Sequence, residues 1–345
     1  MSPRAQSRGY FMTSGSIGVD CARPDNKNGL LKLQTNISLQ SAEYPISYDS
    51  QLLLLGSCFA TNIGKKLDYF QFRNLQNPFG ILFNPKAIAT FLWRVVSEEQ
   101  YIKDDLFFHN EQWHCFDAHS ELSDPDAALV LERLNTALSQ TLEQLSRASH
   151  IILTLGTAWG YRLKALDEIV ANCHKIPQSE FEKVLLPITA VQLYLEEIVN
   201  YLKAINPTIQ IVLTISPIRH LKDGFVENTR SKAHLIAGVQ EFVSRTTQVQ
   251  YFPAYELQMD ELRDYRFYDR DMVHPNALAI DYIWERFCKV YMTDQTLETM
   301  EQVATVQKGT AHRPFNPKSE QHQKFLQTLE KRKQTLQSSY PFMTF

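Results

Sequence analysis

Apolar and polar positions along this chain fall into two textures. Short, continuous apolar runs ending in a small residue occur at QLLLLG (51–56), HIILTLG (150–156) and IQIVLTIS (209–216). Such runs are the mark of strands covered on both faces in a parallel sheet. Between them lie segments of helical period. ATNIGKKLDYF sets Ile63, Leu67 and Phe70 on one stripe, residues 86–96 read as a helix, and 126–145 read as a longer one with Leu129, Leu134, Leu138 and Leu142 near one face. TAVQLYLEEIVNYLKAINP opens on Thr189 as a helix cap and stops at Asn206 before Pro207. A short strand near 71–76, a helix at 231–245, a strand at 249–252 and a helix after Pro275 complete the series, with an irregular stretch after 156. Strands alternating with helices predict an α/β fold, a parallel sheet with helices on both faces. Ligands of such sheets bind beyond the carboxyl ends of the strands. The loops to watch are therefore Gly56-Ser57-Cys58, Gly156-Thr157-Ala158, Ser216-Pro217 and the loop before Pro275.

The ends of the chain differ from its middle. Residues 1–35 are rich in Ser, Gly, Asn and Asp without periodicity and read as a disordered leader, with Met12 a second possible start. They hold no apolar stretch of the roughly seven to fifteen residues a signal peptide needs. No run of about eighteen apolar residues occurs anywhere, so no membrane-spanning helix is expected. Residues 305–345 are charged with a helical pattern and read as a helical extension, laid on the surface or used in self-association, which leaves 36–304 as the main domain. Charge changes the picture only by exclusion. With 35 Lys and Arg against 38 Asp and Glu, net −3, there is no basic field to draw in nucleic acid or an anionic membrane. The five cysteines, at 21, 58, 115, 173 and 288, form no CxxC pair and no compact framework, and are expected as reduced thiols in a cytoplasm.

Two loops carry chemistry. In LLLLGSCFATNIG, Ser57 and Cys58 follow a glycine at a strand-to-helix junction, where a nucleophile stands above the sheet and the free N–H groups of the helix start stabilise a thiolate or oxyanion. The plainer alternative is that Ser57 caps the helix and Cys58 packs as a small apolar group. In RFYDRDMVHPN, Asp271 and His274 stand three apart just before a helix. That spacing lets a carboxylate hold one imidazole nitrogen while the other acts as a base. Arg219, His220 and Lys222 fall in loops near the same edge, Arg219 and Lys232 can bind an anionic or polar substrate group or bridge carboxylates such as Glu227, and Arg263 and Arg266 can steady the base loop. Cys115, His119, Cys173 and His174 have the donor types of a zinc site but none of its usual spacings, so no metal is expected. GSCFATNIG has neither a Walker lysine nor GxGxxG, and nucleotide binding has no support.

GSCFATNIG, NPFGILFNP, ANCHKIP, SPIRHLKDGFVEN and DMVHPN together resemble the GSCFA family, within the SGNH (GDSL-like) esterase and acyltransferase superfamily, over roughly residues 35–320. The resemblance implies a three-layer α/β/α sandwich with a flavodoxin-like parallel sheet. It also implies acyl-ester or thioester chemistry on a small-molecule, carbohydrate or lipid ester, without metal or organic cofactor. Laying GSCF over GDSL puts Gly56 on the Gly and Cys58 on the nucleophile; a slip of one residue gives Ser57 instead. Asp271 and His274 take the places of the orienting acid and general base. Gly80 stands for the superfamily's oxyanion glycine, but Ala158 in GTAW replaces its asparagine donor, leaving Asn84, Asn77 or Thr157 as substitutes, with Arg219 and His220 beside the substrate. That departure supports a second reading, a binding protein that keeps the fold without turnover.

Overall fold

The three long apolar runs become the centre of one sheet. The computed structural model describes residues 34–345, so almost all of the expected leader, with Met12 and Cys21, lies outside the described residues. The chain starts β1 (Gln51–Gly56), α1 (Cys58–Tyr69), β2 (Arg73–Gln76) and α2 (Pro85–Ser97), then a hairpin of β3 (Leu106–His109) and β4 (Gln112–Cys115). Next come α3 (Ala127–Arg147), β5 (His150–Leu155), β6 (Trp159–Leu163), β7 (Glu168–Val170) and β8 (Phe181–Leu185). After α4 (Ile188–Ile205), β9 (Gln210–Ile215), α5 (Phe225–Ser244) and β10 (Val249–Phe252), a single turn α6 (Ala254–Glu256) runs into a π-helical stretch, Leu257–Glu261. The chain finishes with α7 (Ala277–Tyr291), α8 (Asp294–Ala311) and α9 (Glu320–Ser339).

The central sheet is wholly parallel, in the order β10-β9-β5-β1-β2. Counted along the chain, its five strands run 2-1-3-4-5, the flavodoxin-like order. Register places Leu53 beside Ile151, and Ile151 beside Ile211. Successive residues face opposite layers. Leu53, Leu55, Ile151, Leu153 and Leu213 meet apolar residues of α2, α3, α4 and α5, whereas Leu52, Leu54, Ile152 and Val212 meet those of α1, α7, α8 and α9. Both faces are dry, which is why these strands read as unbroken apolar runs.

Several expectations need correction. Helix α4 starts at Ile188 with Pro187 in the cap position, so Thr189 is not its cap. Helix α5 begins at Phe225, six residues before the expected 231. On α3, Leu129 is exposed and Val130 takes its place in a stripe with Leu134, Leu138 and Leu145. The stretch after 156 is not irregular but forms an antiparallel sheet, β7-β6-β8, and the β3–β4 hairpin is a second addition. Helix α8 (Asp294–Ala311) spans position 305, where the helical extension is expected to start. It is also no mere surface layer, since Val303, Val306, Leu329, Leu336 and Met343 are buried in the same cluster as Phe59, Ile63 and Leu67 of α1.

Candidate active site

The turn between β1 and α1 places Ser57 and Cys58 differently. Gly56 sits at φ +130°, a conformation that L side chains rarely adopt, and a Cβ there would run into the Thr154 carbonyl. Its N–H is held by Asn77 Oδ1 at 2.9 Å, Asn77 Nδ2 reaches Thr61 Oγ1 at 3.1 Å, and Ser57 N–H donates to Thr154 O at 3.0 Å. Ser57 is fully buried, and its Oγ accepts from Phe59 N–H as the helix cap. The Ser57 hydroxyl is thus turned into the helix start rather than toward the loops at the sheet edge. Cys58 is the first residue of α1 and is only partly buried. Burial pushes its thiol up, while its own N–H, Lys232 and the Phe59 N–H pull it back. The helix start alone does not make this a ready thiolate, because the turn is sunk into the protein.

The base loop is tightly built. Asp271 Oδ1 accepts the N–H groups of Val273 and His274, each at 2.9 Å, and Oδ2 lies 2.5 Å from His274 Nδ1. The two N–H donors and then the imidazole hold the Asp271 carboxyl down at about 2. A bridge between Tyr268 and Pro275 and the Asn276 amide, which donates to the Arg266 and Tyr268 carbonyls, close the loop. Arg266 contributes its carbonyl, while its side chain pairs with Asp264 and that of Arg263 with Asp260. Asp271 and His274 are each about half exposed. Among the described residues no hydrogen bond joins Cys58 to His274. Electrostatic neighbours link them instead, Cys58 to Lys232, Lys232 to His220 and His220 to His274.

Most of the expected oxyanion donors have structural duties. Gly80, buried at φ +70°, spends its N–H on Asn77 O at 2.8 Å, closing a turn. Asn84 caps α2 through Ala87 N–H at 2.8 Å, and Asn77 holds the nucleophile turn. Thr157 Oγ1 is engaged by Ser231 Oγ at 2.9 Å and by Trp159 N–H at 3.0 Å, while Ala158 N–H donates to the same Ser231. In this structure these four residues make scaffold hydrogen bonds. Two groups remain. The Cys58 N–H, at the first position of α1, is one of the groups a helix cannot satisfy internally. His220 Nε2 is buried without a protein partner, beside the space over Gly156 and edge-on to Phe83. Burial, and then the charge of Lys232, push His220 down to about 4, so it is neutral near pH 7.

Arg219 Nη1 donates to Tyr268 OH at 2.9 Å, tying the loop after β9 to the base loop. Lys232, expected as a substrate or carboxylate partner, instead has its Nζ 2.7 Å from Gly156 O and 2.8 Å from Ser216 O. A buried lysine in α5 was a weak signal in the sequence, since it shares its buried face with the polar Asn228 and Ser231. Of the four residues with zinc-donor types, Cys115 ends β4 and its carbonyl is bonded to His174 Nε2 at 2.7 Å, while His119 Nδ1 accepts from Glu121 N–H at the start of a short turn. No cluster of three or more metal-ligating side chains forms among the described residues.

The model of the GSCFA family matches residues 51–287. The chain belongs to the GSCFA family. The model of the GSCFA domain protein C-terminal domain matches 303–345, within α8 and through α9. A search of the curated proteins finds no match for this GSCFA protein. Among solved structures it is similar to the psychrotrophic esterase EstA of a Pseudoalteromonas species, inhibited by monoethylphosphonate, at 13% identity over 70% of this chain and 96% of that one, with a TM-score of 0.31. It is also similar to a carbohydrate esterase of family 3 from Talaromyces cellulolyticus, at 10% identity over 73% and 98% of the two chains, with a TM-score of 0.30. No helix among the described residues of this GSCFA chain is long and apolar enough to cross a membrane.

Buried imidazoles give the protein a defined acid sensitivity. His174, only 4% exposed, is pushed by burial from 6.5 down to about 4. Between those values the unfolded chain takes up a proton that the folded one refuses, so the stabilisation is complete above about pH 6.5 and lost as pH falls through about 4. The loss reaches about 3 kcal/mol for this group. Urea unfolding at about pH 7 and about pH 4.5 will show it, and His174→Gln will flatten the slope between them.

Proposed function

We propose that this GSCFA protein is an esterase or acyltransferase acting on an O-acyl or thioester group, with Cys58 as nucleophile, His274 as general base and Asp271 as its orienter. The observation that carries the reading is the Asp271–His274 pair, held at 2.5 Å by a closed loop that shares the sheet's carboxyl edge with the turn presenting Cys58. The resemblance to the SGNH superfamily supports the same assignment. Asp271 fixes the proton on His274 Nδ1 and stabilises the imidazolium formed when Nε2 takes the thiol proton. The thiolate then attacks the acyl carbon, and the oxygen that gains charge is met by the Cys58 N–H and by neutral His220. His274 returns the proton to the leaving group, and water or an acceptor hydroxyl releases the acyl chain. The thiol is protonated at rest, so reaction needs His274 to approach Sγ, an approach of the kind that tightens when substrate binds. Small-molecule, carbohydrate or lipid esters in a cytoplasm fit this reading, and nucleic acid does not.

The non-catalytic binding protein remains the second reading, favoured by the absence of a Cys58–His274 hydrogen bond and by Ala158 in place of an asparagine. One experiment separates them. Incubation with an activated acetyl ester, followed by peptide mass mapping, will show one acyl group on Cys58 that disappears in His274→Ala. Unmodified Cys58 in folded wild type, across acyl esters and thioesters, leaves the binding protein.

A further inference from the structure

Around the loop after β9, cations and carboxylates are mostly matched. Asp223 accepts Lys183 Nζ at 2.6 Å and Tyr161 OH at 3.1 Å, and Asp260, Asp264 and Asp271 are taken by Arg263, Arg266 and His274. Lys232 commits its amine to the carbonyls of Gly156 and Ser216. Arg219 stands apart. Its Nη1 donates to Tyr268 OH at 2.9 Å, and that hydroxyl's own proton points to Met259 Sδ at 3.6 Å. Among the described residues no carboxylate pairs with this guanidinium, Glu227 included. A guanidinium has five N–H donors in a fixed fork, and one bond to a phenol leaves most of them free. None of its nitrogens is both buried and unpartnered, so the free donors open to solvent. The backbone of Arg219 lies between Ser216, just past the end of β9, and His220, whose Nε2 is 3.1 Å from where a Cβ on Gly156 would stand. Its tip reaches the base loop at Tyr268, which is bridged to Pro275, the neighbour of His274. Only β5 separates β9 from β1, so the strand ends carrying Arg219 and Cys58 are two strand spacings apart, about 10 Å.

We infer that Arg219 selects the substrate: the ester or thioester carries an anionic group, a carboxylate or a phosphate, that docks on this guanidinium. This rests on the reading of Cys58 and His274 as the catalytic pair. The phenol of Tyr268 fixes one side of the fork, and the other side offers N–H groups in the planar arrangement that a carboxylate or phosphate accepts with two oxygens. A partly buried cation without a counter-ion is unfavourable at rest, and a bound anion relieves it. Arg219 and His220, adjacent in the chain, divide the substrate between them. The neutral imidazole meets the oxygen of the acyl group, and the guanidinium meets a charge several bonds away, at the far side of the gap of about 10 Å between the strand ends.

The test compares phenyl thioesters of matched length in the full chain: that of hexanoic acid, that of adipic acid with its second carboxylate free, and that of the corresponding phosphonate. The rate of acylation at Cys58 is followed by mass spectrometry. In wild type at least one charged thioester will react about tenfold or more faster than the neutral one, the strength of one charge-assisted contact. The larger of the two ratios names the anion. Arg219→Gln, which keeps a donor for Tyr268 OH but no charge, will bring charged and neutral rates within about twofold of each other. Arg219→Lys, a charge without the fork, will keep part of the preference. Equal rates in wild type, a preference for the neutral thioester, or a charged preference that survives Arg219→Gln overturns the inference. Should Arg219→Gln fail to fold, Arg219→Lys decides in its place, and a ratio equal to that of wild type overturns it. If no thioester acylates Cys58, the nucleophile reading fails by itself, and equilibrium binding then decides the inference. Calorimetric titration with adipate and with inorganic phosphate must show binding of one of them that Arg219→Gln abolishes; no binding, or binding that survives the substitution, overturns it.

Discussion

Cys58→Ala will lower ester turnover by about ten-thousandfold or more, the scale seen when the nucleophile of a cooperating triad is removed. Ser57→Ala will keep most of the turnover and lose about 1 kcal/mol of stability, the worth of a helix cap. The contrast follows from one turn: Ser57 is fully buried with its hydroxyl on the Phe59 N–H, while Cys58 opens α1 with its side chain partly exposed. Steady-state kinetics on any ester found to acylate wild type, with thermal unfolding on the same samples, measures both. The opposite result, loss with Ser57→Ala and survival with Cys58→Ala, would shift the nucleophile by one residue and break the correspondence of Gly56 with the superfamily glycine.

The second large effect belongs to Gly56. Ala at this position must adopt φ +130° and place its Cβ against the backbone of Thr154 on the neighbouring strand. Neither β1 nor β5 can yield, because Leu54 pairs with Ile152 and Leu55 with Leu153 in the middle of the sheet. Gly56→Ala will therefore cost at least about 3 kcal/mol, combining a strained backbone with a separated strand pair. Calorimetric or denaturant unfolding will show this, or the variant will be recovered only as aggregate. A variant unfolding within about 0.5 kcal/mol of wild type, as an ordinary surface substitution does, would mean that the turn is not held as described.

What could be read from the sequence followed from covalent periodicity. Runs such as HIILTLG are apolar at every position because both faces of β5 are covered, and strands of that kind announce themselves. The strands β6, β7 and β8 mix Trp, Tyr, Arg, Glu and Lys with apolar residues over three to five positions, so neither period stands out. Helix α5 was legible only from residue 231, because it opens on exposed Phe225 and Val226 after Gly224, without a side-chain cap. In the site, the Asp271–His274 pair was legible because both partners lie within one loop. The fates of Asn77 and Thr157 depended on partners in other elements, Asn84 and Gly80 were taken up by a helix cap and a turn within their own segment, and a short motif does not state which of its polar atoms are already taken. Lys232 was the least legible, since its acceptors are backbone carbonyls at the ends of two strands far apart in sequence.

The C-terminal helices carry a consequence for how the protein is made. Gln307 holds the carbonyl of Tyr69 at the end of α1, the Thr344 N–H reaches Gln71, and Arg73 lies 4.6 Å over the ring of Phe342. Leu336 and Met343 are buried in the same cluster as Phe59 and Ile63 of the helix that opens on Cys58. The nascent chain can pair its central strands early, but the layer beneath Cys58 closes only after residue 343 has been added.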